Sequence, residues 1–85
     1  MPTYEEDLAV MNASIERAAA TAIAEQAQAR TDAEADIAAQ IKIGVTPTFA
    51  RMSAERRALE LAVRSCARYM QLYDVAVEKF TRRHS

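Results

Sequence analysis

From residue 49 to residue 80, marked positions recur at alternating steps of three and four: Phe49, Met52, Arg56, Leu59, Val63, Cys66, Met70, Tyr73, Val77 and Phe80. That is an unbroken a/d heptad register with one polar member, Arg56, and it predicts an amphipathic helix over about 48–81. Some 30 residues of helix span roughly 45–50 Å. Leu61, Leu72 and Val75 lie beside this seam and widen it. A second apolar flank belongs to a helix with more than one neighbour.

The first half of the chain is also helical, but its stripe is thinner. Tyr4, Leu8, Met11, Ile15, Ala19, Ala22, Gln26, Ala33, Ile37 and Ile41 follow a spacing nearer to an 11-residue repeat than to strict heptads. Thr3 and Glu6 form a capping box at its start, and the acids of that first turn suit the positive end of the helix dipole. The helix is expected over about 4–42. Thr31 and Glu34 form a second capping box within a polar stretch. One continuous helix and a helix broken near Arg30–Asp32 are both consistent with it, so three helices are the alternative to two.

Between the helices, 43–47 reads as a turn. Gly44 is the only glycine, suited to the left-handed conformation that ends a helix. Thr46 can cap the next helix with Pro47 at its first position, where the missing amide is harmless; a later start capped by Ser53 is the other option. The whole 1–85 chain then makes one all-α domain, a long antiparallel helical hairpin. Ile43 and Val45 are apolar for a turn. They either fold back over the hairpin end or form an exposed tip that docks on a partner.

Size adds a constraint. A core in a chain of fewer than roughly 80 residues supplies only about 3–5 kcal/mol without a staple, and this one is barely longer. Cys66 is the only cysteine, which excludes an intrachain disulfide, and Cys66 with His84 is too few soft ligands for structural zinc. Oligomerisation remains, most simply a homodimer closing a four-helix bundle over the apolar flanks. The lone cysteine, the acidic start and the lack of a long apolar run lead to the expectation of a cytoplasmic protein with no membrane segment. The abundant alanine and arginine hint at a bacterial or phage source.

Charge is nearly balanced overall but polarised. Residues 1–45 carry eight acids against three bases, and residues 46–85 eight bases against four acids. Antiparallel arms of opposite sign attract each other and help fix their pairing. Arg56, the odd seam residue, is expected opposite Asp36, since both are equidistant from residue 46. Arg57, Arg64 and Arg68 share one side with Tyr69 nearby. That side is either a solvated face laced by Glu60 and helix-one acids, or a partner-binding surface.

Little in the chain supports catalysis. No Ser/His/Asp set, glycine-rich phosphate loop or Glu-x-x-His metal pair is present, His84 is expected to fray, and Cys66 is expected to fill the core. No enzyme activity, cofactor or metal is expected. The leading expectation is a protein-interaction module that binds itself and another protein, as small helical accessory and inhibitor proteins of bacteria and phages do. Nucleic-acid or nucleotide binding through the basic second helix is permitted but not favoured. A structural role in a larger array is the third reading.

Overall fold

The computed structural model describes residues 3–85. It consists of two helices, α1 (Tyr4–Lys42) and α2 (Pro47–His84), packed along their length as an antiparallel hairpin. The hairpin measures 64 × 15 × 11 Å, with a radius of gyration of 19.0 Å. A compact chain of this length would have a radius near 12 Å. One layer of two helices has no three-dimensional core.

The helix ends follow their local chemistry. The Glu6 amide donates to Thr3 Oγ1 at 3.1 Å, one half of the capping box. At the turn, the Val45 amide donates to the Gln40 carbonyl (3.0 Å) and the Gly44 amide to the Ile41 carbonyl (3.1 Å). This pair of bonds is a Schellman motif, which needs a left-handed residue at the position of Gly44. Its φ is +98°, and it is the residue without a Cβ. Pro47 then opens α2 at once, so the later start at Ser53 is not used. Thr46 flanks that start but makes no side-chain cap bond.

α1 is continuous, so the fold is two helices and not three. Thr31, the candidate second cap, donates its hydroxyl back to the Ala27 carbonyl at 3.2 Å. Gln28 donates to Asp32 at 2.9 Å one turn on. The Thr31 hydroxyl is thus spent on a carbonyl within the same helix and caps no new one.

Small residues line the contact between the helices. Ala18, Ala22 and Ala29 of α1 and Ala50, Ala54 and Ser65 of α2 are buried. Among the described residues, no large side chain is fully buried. Small side chains let helix backbones approach closely. Ser65, whose buried hydroxyl needs a polar partner, donates across the seam to the Ala22 carbonyl at 3.3 Å.

The inner stripe repeats every eleven residues. In α1 it runs through Asp7, Ala18, Ala29 and Gln40; in α2 through Ala54, Ser65 and Ala76, and through Ala58, Tyr69 and Phe80, all buried or half-buried. Eleven residues over three turns is 3.67 per turn, close to a straight helix. The arms therefore stay in contact over nearly 40 residues without a tight supercoil.

Candidate functional site

From Phe49 to Met70 the heptad stripe of α2 lies outside the contact with α1, which corrects the placement expected from its sequence; at its edge Cys66 Sγ accepts from Gln26 Nε2 of α1 at 3.5 Å. Phe49, Met52, Leu59, Val63 and Met70 are each at least 60% exposed. Cys66 is exposed too, so it is not core filler. The alanine-and-serine stripe takes the inner face instead. Two repeats thus share one helix. At 3.5 residues per turn the outer stripe precesses one way around an α-helix, and at 3.67 the inner one drifts the other. They are nearly opposite beside the turn and converge toward the chain end. Exposure follows this geometry: Tyr73 is 44% exposed, and Val77 and Phe80 are half-buried.

Along its outward part the stripe forms an open groove of about 600 Å³ lined by Met52, Arg56, Leu59, Glu60, Val63 and Arg64. Arg56 Nε donates to Glu60 Oε1 at 3.3 Å. Arg56 therefore does not meet Asp36, the pair expected from the sequence. The register pair is instead Arg57–Asp36, with Nη1 to Oδ2 at 3.4 Å. Arg56 and Arg57 lie at nearly the same axial level, but Arg57 is about 100° further round the helix, on the side facing α1.

The arginine side is largely committed within the hairpin. Arg68 donates to both carboxylate oxygens of Glu25 at 2.8 and 3.1 Å, and Arg57 holds Asp36. Gln40 donates to the same Asp36 oxygen at 2.9 Å. Arg64 makes no ion pair among the described residues and borders the apolar groove. Tyr69 is half-buried, its ring 6.3 Å from that of Tyr73. The four residues do not form one free basic patch. At the tip Ile43 is 80% exposed, so it does not fold back, while Val45 is half-buried.

The end remote from the turn holds a cluster with no counterpart in the sequence reading. Asp7, buried on α1, accepts from Arg83 Nη1 at 3.0 Å and is hydrogen-bonded to His84 Nε2 at 2.7 Å. Tyr4 packs edge-on against both Phe80 and His84, and the Phe80 and His84 rings are tilted against each other, with ring centroids 4.9–5.2 Å apart. His84 is therefore a packed residue of α2 and not a frayed one. The hydrogen bond from His84, then the charge and hydrogen bond of Arg83, hold the Asp7 carboxyl below its usual value, against the opposing effect of burial.

Among the described residues, no group of three His, Cys, Asp or Glu side chains converges on a metal-sized site, and no helix is long and apolar enough to cross a membrane. The chemistry of the surface is that of contact: a long apolar stripe, a narrow charged border and a greasy tip. No family model, curated protein or solved structure matches the chain, so its function rests on this geometry.

Proposed function

We propose that this protein is a non-catalytic helical interaction module whose working surface is the outward heptad face of α2. One observation carries the reading. Phe49, Met52, Leu59, Val63 and Met70 of α2 are turned to solvent, while alanines close the hairpin. Contiguous apolar surface beyond a few hundred Å² on a small soluble protein marks an interaction site. The a/d spacing further specifies the kind of ligand, since such a stripe accepts another helix in knobs-into-holes packing. An accessory or inhibitory role toward another protein fits such a module.

Nucleotide or nucleic-acid binding is less well supported. Phosphate binding needs free cations, and Arg57 and Arg68 already hold Asp36 and Glu25. No feature of the hairpin favours a structural array over a discrete partner.

The test is photocrosslinking in the source cell. A photoreactive phenylalanine analogue is placed at Met52, Leu59 or Met70, and at the exposed Ala38 of α1 as control. The three α2 positions should give polypeptide adducts and position 38 should not. Repeating the experiment with Arg64 and Arg68 changed to Glu asks whether the arginine side contributes. Absence of adducts at all three α2 positions would sink the proposal.

A further inference from the structure

Building on that reading, we infer that the occupant of the α2 face is the α2 face of a second copy of this chain, packed antiparallel about a two-fold axis level with residue 61. The interaction reading requires only some helical ligand. Three observations single out this one.

The first is self-complementarity. The outward stripe runs from Phe49 to Tyr73, and its midpoint is residue 61. An antiparallel pair sets each a position against a d position of its partner. Centred on residue 61, Phe49 meets the second copy's Tyr73, Met52 its Met70, and Leu59 its Val63. Every large side chain of the exposed stripe finds an apolar counterpart of similar bulk. The stripe ends where it merges with the inner seam, so a longer overlap would press on surface the hairpin has already closed.

The second is charge. Parallel pairing in register stacks Arg56 on Arg56 in the core, and like charges face each other at each level along the border. Antiparallel pairing sets Arg56 against the second copy's Cys66 and separates the two Arg56 residues by ten residues of helix, about 15 Å. The border then reads, along the axis, Arg56, the second copy's Arg64, Glu60, the second copy's Glu60, Arg64, and the second copy's Arg56. Two carboxylates lie between four guanidinium groups. The Arg56–Glu60 bond at 3.3 Å already forms part of this ladder in the single hairpin, and Arg64 gains a partner that it lacks there.

The third is area. From their exposures, the six apolar residues Phe49, Met52, Leu59, Val63, Met70 and Tyr73 offer about 700 Å² per copy, so closure buries at most about 1,400 Å² of them, a ceiling within the range of roughly 1,200–2,000 Å² typical of specific interfaces. The closed assembly is a row of four helices with α1 outermost on each side, and its central α2–α2 contact supplies the seam of large side chains that the alanine-lined hairpin lacks.

Native Cys66 supplies the test. In the antiparallel pair the two Cys66 residues are about 15 Å apart along the axis, too far for a disulfide. An R56C variant places a new thiol opposite the second copy's Cys66. Wild type, R56C and R56C/C66S are incubated with oxidised glutathione, resolved on non-reducing gels, and weighed by sedimentation equilibrium before oxidation. The expected result is a wild-type mass twice 9.4 kDa with no covalent dimer, a covalent dimer for R56C, and its loss in R56C/C66S. Leu59→Glu should halve the sedimenting mass. Covalent dimer from wild type would show parallel pairing and overturn the inference, as would dimer mass with no R56C cross-link. A helical wild-type monomer would overturn it as well. In that case photo-adducts of α2 with a different polypeptide would leave the broader interaction reading standing, and their absence would remove both.

Discussion

Enlarging a residue of the inner seam separates a hairpin held by small residues from one held by the heptad stripe. Ala54 is 1% exposed and its neighbour one turn back, Ala50, is 0% exposed. The helices meet there through methyl groups, opposite Ala29 and Ala33, which border the same small groove. Ala54→Leu adds three carbons where the backbones are close. Overpacking of this kind costs about 1–3 kcal/mol, offset only slightly by any gain in buried apolar area. Leucine is nearly as good a helix former as alanine, so helix propensity contributes little. For a domain of this size each kcal/mol moves Tm by about 4–8 °C, giving a fall of roughly 4–24 °C. The assay is thermal and urea unfolding followed by circular dichroism, at one fixed chain concentration because association couples to stability. Ala27→Leu, on the exposed side of α1, is the control and should stay within about 0.5 kcal/mol of wild type. If Ala54→Leu is neutral or stabilising while Ala27→Leu behaves the same, the alanine seam is not the hairpin contact.

Further predictions address other parts of the molecule. Gly44→Ala should cost about 1–2 kcal/mol by thermal melting, because φ is +98° while an added Cβ meets nothing within 4 Å, so the penalty is conformational and not steric. Arg68→Gln should cost less than about 1 kcal/mol in urea unfolding, since its bond to Glu25 is solvent-exposed, and the difference should shrink in high salt. Asp7 makes the chain acid-sensitive. Its folded carboxyl binds a proton less readily than the unfolded one, so the unfolded state takes up more protons in acid. The stability it contributes is fully present above its usual value of 3.8 and lost as pH falls below it toward the lowered folded value. Wild type and Asp7→Asn should therefore differ in urea midpoint at neutral pH and converge in strong acid; a gap that persists there would contradict the assignment.

Much of this fold was legible in the pattern of residues. The single glycine and Pro47 mark the turn and Thr3 marks the first helix start; the stripe read along α1 has the 11-residue spacing of the buried face but lies to one side of it, since of its members only Ala22 is buried, beside Asp7, Ala18 and Ala29. The assignment of faces on α2 was not legible by the usual rule. Large apolar residues at a/d positions ordinarily mark the contact with the nearest helix. Here Ala54, Ser65 and Ala76 repeat at eleven like the facing stripe of α1, and the match of periods decides which side packs. A search for equal periods on the two arms, and not for the greasiest stripe, would have found it. The Asp7–Arg83–His84 cluster was hidden for another reason. Its members lie at opposite ends of the chain, and only a hairpin with arms of nearly equal length brings them together.

The claim that α2 has one face sealed within the hairpin and another sealed by a second copy is tested most directly by thiol accessibility on the two faces. In a Cys66→Ser background, Val63→Cys reports the outer face and Ser65→Cys the inner one; the native residues are 68% and 3% exposed in the single hairpin. Alkylation rates are measured across a dilution series under conditions where the helices persist. The account predicts slow labelling of Ser65→Cys at every concentration. It predicts that Val63→Cys labels rapidly when dilute and becomes protected as concentration rises. A Val63→Cys rate that does not change with concentration, or rapid labelling of Ser65→Cys, would contradict it.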